Sequence, residues 1–392
     1  MNITMVTPTY PPTQGGVQTQ VNLLVEALNR RGYKIAVITE GVGEAPDVER
    51  KEGIAIFRLR PPLIKLDPWR SYSFIRRNIN VIKAIVKKEK TDVIHVQHAN
   101  RSFGYTCLLK KYFTIPIVST IHVSWLGDPL YREWRMDIKE PVRRALKLLP
   151  GLWFDRQSIM SADFVITISK HFEKVCKGIR EDERVATIPN AIDLKQFNPD
   201  AKTSSNIFNS GGYSILCPGR ISPEKGQIHL VRALKIINNS NKFHISFMGA
   251  SNPKERKKLE REASRLKLGD CVHFIPPQPY DKVSRFYNDA DLIVLPSTSE
   301  GLPLAIIENM ALGNVVIASN VGGIPELIEH KETGLLVPPK NPKALAEMII
   351  KILEDWKLRN KIEKNAIKRV MDYDIEKTTS EVERIYEEVI NG

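Results

Sequence analysis

Two glutamates eight residues apart, Glu300 and Glu308, stand on either side of a strand-to-helix turn in the run Ser299-Glu300-Gly301-Leu302-Pro303-Leu304-Ala305-Ile306-Ile307-Glu308. Asp291 to Leu295 has the short apolar pattern of a buried strand and Leu304 to Leu312 that of the helix after it, so Glu300 falls in the connecting loop. Pro303 suits the first helical position, where a missing N–H costs nothing, and the N–H groups of Gly301, Leu302 and Leu304 are then placed to meet an anion. Glu308 follows inside the helix, where its two oxygens can accept from a vicinal diol such as a ribose. A phosphate, a sugar and a ribose together describe a nucleotide sugar. Breaking the bond between sugar and diphosphate builds negative charge on the leaving group, and basic side chains can meet that charge. Gly219-Arg220-Ile221-Ser222-Pro223-Glu224-Lys225-Gly226 supplies both kinds of cation, a planar fork at Arg220 and a flexible point charge at Lys225, directly after a strand. Each of these residues alone is better explained as a solvated charge or a partner of a helix dipole; their order and spacing carry the reading.

The Glu300-x7-Glu308 run, its continuation Ala311-Leu312-Gly313 to Gly322-Gly323-Ile324-Pro325-Glu326, and the G-R-x-x-x-x-K-G loop at Gly219 resemble the signature of the retaining GT-B glycosyltransferases of the group 1, or family 4, type. The resemblance covers nearly the whole chain, strongest from Gly219 to Pro338 and weakest from Pro61 to Trp153. It implies two facing Rossmann-like lobes and a terminal helix that crosses back to the first. It also implies that Glu300 holds the sugar hydroxyls, Glu308 clasps the ribose, and Arg220 and Lys225 meet the phosphates. Gly15-Gly16, in the loop after the first strand, would approach the donor phosphates, and His122 would lie beside the donor sugar. Catalytic candidates are therefore Glu300, His122, Arg220 and Lys225, and His98 is an acceptor-side candidate. Two departures, Gly249-Ala250-Ser251-Asn252-Pro253 and Ile275-Pro276-Pro277, fall near the expected base pocket and leave UDP and GDP both open.

The elements that must position these residues alternate along the chain. Strands are expected at Ile3–Thr7, Lys34–Thr39, Ile54–Leu59, Asp92–Gln97, Pro116–His122, Asp163–Ser169 and Val185–Pro189, with helical segments between them, the first from Val17 to Leu28. After a Ser- and Asn-rich linker the scheme repeats with strands at Tyr213–Cys217, Phe243–Met248, Cys271–Ile275, Asp291–Leu295, Val315–Ser319 and Gly334–Val337, then helices over Pro342–Asp355 and Glu376–Val389. Such alternation predicts an α/β fold with parallel doubly wound sheets. The expected divisions are 1–199 for the acceptor-side domain, 200–212 for the linker, 213–374 for the donor-nucleotide domain and 375–392 for the crossover helix. The first glycine loop lacks G-x-G-x-x-G, which argues against a dinucleotide-dependent dehydrogenase. Asp372-Tyr373-Asp374 reads as a helix start rather than a metal motif.

A chain of 392 residues is long enough for two ordinary domains, and 42% hydrophobic with 26% charged residues is globular composition. Four cysteines, Cys107, Cys176, Cys217 and Cys271, are too scattered for a disulfide framework or a zinc site. No metal and no cofactor beyond the nucleotide sugar is expected. No segment runs for 18 apolar residues and no leader precedes the first strand, so a cytoplasmic protein is expected. The net charge of +13 concentrates in the first half: from Arg58 to Lys90 ten basic residues face two acidic ones, interleaved with Leu63, Ile64, Leu66, Trp69, Tyr72 and Phe74. Tyr131 to Phe154 adds Trp134, Arg135, Arg143, Arg144, Lys147, Leu148, Leu149, Leu152, Trp153 and Phe154. Basic clusters with apolar wedges suit an anionic membrane surface. The expected partners are a nucleotide sugar, an acceptor that would be a membrane lipid or lipid-linked glycan, and such a surface; no motif for nucleic acid accompanies the charge. The resulting expectation is a metal-independent, retaining glycosyltransferase. The alternatives are a GT-B-like nucleotide-sugar epimerase, told apart by turnover without an acceptor, and a non-catalytic sugar-nucleotide-binding subunit, told apart by binding without turnover.

Overall fold

A computed structural model describes residues 1–392 except 65–68, 99–101, 103, 124–125, 127–140, 181, 200–206, 209–210 and 238–241, with the backbone alone described over 141–148. The chain divides into two compact units, Met1–Asn190 with Ile375–Gly392, and Ala191–Asp374. Residues 191–199 thus belong with the second unit rather than the first: Ile192 N donates to Tyr373 O at 3.0 Å, and the buried Phe197 ring packs against Tyr280 with centroids 5.6 Å apart. Most of the expected linker, along with Lys65, Leu66, Trp134 and Arg135, lies outside the described residues.

The first unit is built on an eight-stranded sheet of β1 (Asn2–Val6), β2 (Lys34–Glu40), β3 (Val48–Lys51), β4 (Ile54–Leu59), β5 (Val93–His98), β6 (Ile117–Ile121), β7 (Phe164–Thr167) and β8 (Val185–Thr187). The order is β3-β4-β2-β1-β5-β6-β7-β8, parallel throughout except that β3 runs antiparallel to β4 on the edge. Strand β3 carries no apolar alternation and is almost wholly exposed, which is why the sequence pattern does not announce it. Alternate residues of the strands feed two cores. Ile3, Met5, Val37 and Ile166 meet the helix Gly16–Arg30 and the terminal helix Ile375–Asn391 on one face, while Ile38, Phe57, Ile94 and Val96 meet the helix Trp69–Lys88 on the other. The terminal helix is fixed by the buried Val382, Ile385 and Tyr386 and by ion pairs from Arg30 to Glu376 at 2.8 Å and from Arg31 to Glu376 and Glu383.

The second unit holds a six-stranded parallel sheet of β9 (Tyr213–Pro218), β10 (Phe243–Met248), β11 (Val272–Ile275), β12 (Leu292–Leu295), β13 (Val316–Ser319) and β14 (Leu335–Val337), in the order β11-β10-β9-β12-β13-β14. Its helical pattern after β14 extends further than expected. The helix Pro342–Glu354 stops where the Asp355 carboxylate caps Leu358 N at 3.0 Å, and a second helix, Trp356–Val370, begins there. Each sheet reverses its winding once, at β1/β5 and at β9/β12, and ligands of doubly wound folds sit outside the carboxyl ends of the strands at such points.

Candidate active site

The chemistry-bearing residues of the second unit gather at its reversal point. After β9 the chain turns through Gly219 and Arg220 into a short 3-10 turn, Pro223–Lys225, and after β12 it runs through Pro296 to Pro303. Thr298 N donates to Glu224 O at 2.7 Å, which ties the two loops together. The approach is close enough that a Cβ on Gly226 would sit 2.1 Å from Pro296 O. Across this junction Lys225 Nζ lies 2.7 Å from Glu300 Oε1 and 2.9 Å from Oε2, and Ser297 Oγ donates to the same Oε1 at 2.6 Å. The Glu300 side chain is only 8% exposed. Gly322, at φ +54, backs the loop: a Cβ there would lie 1.8 Å from Glu300 O, and Gly323 N donates to Gly301 O at 2.9 Å. Arg220 stays exposed, with Nη2 3.2 Å from Glu224 Oε1.

Pro303 adopts extended angles and caps the helix Leu304–Ala311 instead of occupying its first turn. The residue falls one position earlier than the sequence suggests, and Leu302 and Leu304 beside it are buried. Glu308 is buried too, not solvated: Tyr287 Oη donates to its Oε2 at 2.8 Å, and the Tyr280 hydroxyl is enclosed nearby. Burial pushes the Glu308 carboxyl up to about 7, while the tyrosine hydroxyl draws it back down.

In the first unit, Gly15-Gly16 ends the loop after β1 and opens the 15-residue helix Gly16–Arg30, where no acidic residue occupies the first turn. His98 closes β5 and pairs through Nε2 with Asp155 Oδ1 at 2.9 Å, both side chains fully enclosed. His122 follows β6 and bonds Gln97 Oε1 through Nε2 at 2.7 Å. Burial, with His98 beside it, holds the His122 imidazole down to about 3, so the ring is neutral. His95, the other histidine of β5, is a core residue between Thr120 and Tyr386.

The basic run from Arg58 to Lys90 needs correction at two of its members. Arg58 is buried, donating to Pro11 O at 2.9 Å, Pro46 O at 3.1 Å and Glu49 at 3.0 Å, and Arg70 pairs with the buried Glu40. Both guanidiniums hold the fold together and neither is available to a surface. Phe74 and Phe154 are likewise core residues, whereas Leu63, Ile64, Leu149 and Trp153 are exposed.

Sequence reasoning missed Ser297, Tyr287, Gln97 and Asp155. Ser297 stands three residues before Glu300 at a strand end, which is a usable signal. The other three reach their partners only through tertiary packing.

Residues 14–196 match the family Glycosyltransferase Family 4, and residues 200–369 match Glycosyl transferases group 1. A glycosyltransferase of Methanocaldococcus jannaschii, itself uncharacterised, is 30% identical over 400 residues, covering 98% of both chains. The chain belongs to the group 1 glycosyltransferases. Among solved structures, this glycosyltransferase superimposes on a sucrose-phosphate synthase of Thermosynechococcus elongatus with a TM-score of 0.87 at 26% identity, covering 100% of this chain and 99% of that one. A second, HepE of Anabaena in complex with UDP-glucose, gives 0.77 at 18% identity, covering 98% of each, and speaks for the GT-B fold alone. As a group 1 glycosyltransferase the protein carries its ion-paired Lys225 and Glu300 where doubly wound folds take their ligands.

Proposed function

We propose that the protein transfers a sugar from a UDP- or GDP-linked donor to an acceptor hydroxyl with retention of configuration and without a metal. The observation that carries this reading is the Lys225–Glu300 pair at the β9/β12 reversal. An ion pair this enclosed contributes little net stability, because desolvation offsets its attraction, so its place at a ligand-binding edge speaks for chemistry. Glu300 accepts from the sugar hydroxyls, and Arg220 and Lys225 stabilise the diphosphate as the bond from C1 to the phosphate oxygen breaks. The acceptor oxygen attacks C1 on the face the phosphate leaves, and the leaving phosphate takes the acceptor proton. Glu308, held by Tyr287, takes the ribose, and the neutral His122 accepts from a sugar hydroxyl. UDP-glucose in the HepE complex supports a nucleotide-sugar donor.

For the acceptor we favour a membrane lipid or lipid-linked glycan, taken up from an anionic surface. The first unit has an apolar groove of about 970 Å³ lined by Trp69, Tyr72, Leu108, Leu149 and Trp153, with Lys111 on it. Arg76, Arg77, Lys83, Lys87 and Lys88 are exposed along the helix Trp69–Lys88, which starts at that groove. Among the described residues no helix is long and apolar enough to cross a membrane.

A thermal-shift panel with UDP- and GDP-linked sugars, with and without EDTA, tests the donor site. One donor at a hundredfold over its Kd is expected to stabilise by about 2.7 kcal/mol, unchanged by EDTA. Glu308→Ala weakens the shift, and Lys225→Ala lowers turnover about 10²- to 10³-fold with the fold intact. Stabilisation that vanishes with EDTA would overturn the metal-independent reading, and stabilisation without turnover for any acceptor would favour a binding subunit.

A further inference from the structure

Behind His122 runs a buried chain of hydrogen bonds that ends on the terminal helix. A carboxamide oxygen only accepts, so the 2.7 Å contact between His122 Nε2 and Gln97 Oε1 places the imidazole proton on Nε2 and the lone pair on Nδ1. Gln97 Nε2 in turn lies 3.0 Å from Met5 Sδ, which can only accept, so a flipped amide would turn its oxygen onto a sulfur; with the amide nitrogen so placed, its 3.2 Å contact makes His95 Nε2 an acceptor. Thr120 Oγ1 also reaches His95 Nε2, at 2.7 Å. With Nε2 accepting, the His95 proton sits on Nδ1, 2.6 Å from the Tyr386 hydroxyl that receives it. Every member is buried, and the His122 Nδ1 atom has no partner among the described residues. A buried lone pair of this kind is costly unless a ligand supplies its donor.

We propose that Tyr386 and His95 are positioning residues which, through Gln97, lock His122 in its Nε2–H tautomer and so keep Nδ1 as the acceptor for a substrate hydroxyl. The inference rests on His122 serving the transfer reaction. It gives the terminal helix a task beyond covering the sheet: the tyrosine sets, three residues removed, which nitrogen of His122 is bare. Losing Tyr386 Oη frees His95 to exchange tautomers; Gln97 can then turn its amide, and His122 moves its proton to Nδ1 in part of the population.

Long-range imidazole ¹⁵N spectra of the full chain decide this without any substrate. Wild type is expected to show a neutral His122 with its proton on Nε2, and Tyr386→Phe to show its two ring-nitrogen shifts drawn together. In transfer assays the same variant is expected to lose about tenfold in kcat with KM for the donor within about twofold, the size of effect that follows from misplacing a reacting group. Val382→Ala removes packing from the same helix without touching the chain of hydrogen bonds. It should lower Tm and leave the His122 nitrogens and kcat alone. A His122 proton on Nδ1 in wild type, unchanged nitrogens in Tyr386→Phe, or the same spectral change in Val382→Ala would each overturn the proposal. A protein that transfers no sugar would refute the proposed activity and leave the tautomer result to be judged separately.

Discussion

Two glutamates with one spacing have opposite surroundings. Glu300 is held by a cation and a hydroxyl, whereas Glu308 is enclosed with tyrosines and meets no cation among its described partners. A carboxyl pushed up to about 7 from an ordinary 4.5 makes the folded protein bind a proton more tightly than the unfolded chain between those values. Stability therefore falls as pH rises through that window and levels off above it, by on the order of 3 kcal/mol for this group. Glu308→Gln keeps the shape and removes the titration. The difference in Tm between wild type and Glu308→Gln, followed from about pH 5 to 8, should move steadily in favour of the variant, because other groups cancel in the comparison. A difference that stays flat across that range would mean Glu308 is ionised throughout.

At the scale of elements, the glycine loops fall into two kinds. Gly322 combines a left-handed backbone with a neighbour where its side chain would go, so Gly322→Ala must displace the Glu300 backbone. The left-handed conformation alone costs roughly 1–2 kcal/mol for an L-residue, so a lower Tm and loss of donor binding are expected together. Gly16 has no heavy atom within 4 Å of an added Cβ. Gly16→Ala should leave the unfolding free energy within about 1 kcal/mol of wild type. If the loop approaches donor phosphates, the substitution lowers transfer without lowering Tm, and full activity would remove Gly15-Gly16 from the site. The reading of elements from sequence worked where burial was one-sided or complete, as in β1, β5 and β12. It failed at β3, whose Val-Glu-Arg-Lys run buries almost nothing, and after residue 355, where a second helix, Trp356–Val370, follows the expected one.

For the whole molecule, the open question is what the exposed cations and apolar side chains of the first unit meet. Each cation near an anionic surface contributes about 1 kcal/mol, so several together suffice for salt-sensitive binding. Flotation with vesicles containing anionic lipid should carry the protein upward at low salt, and vesicles of neutral lipid should not. Arg76→Glu with Lys83→Glu and Lys87→Glu reverses three charges on exposed side chains and should abolish flotation while donor-induced stabilisation survives. Equal recovery with neutral and anionic vesicles would refute the role of the cations, and none with either would refute the membrane surface.

The sequence by itself determined the alternation of strands and helices, the two sheets and the order of Gly219, Arg220, Lys225, Glu300 and Glu308, because period and spacing are local properties of a chain. Only the tertiary structure decided which charges face each other. Arg58 and Arg70 look like their basic neighbours until packing places carbonyls and Glu40 around them. Lys225 meets Glu300 across 75 residues because β9 and β12 are neighbours in the sheet. Tyr386 reaches His95 across 291 residues because the terminal helix closes one face of the first sheet. Partners so far apart leave no periodic signal, since the distance between them is fixed by sheet order and burial rather than by any run of residues.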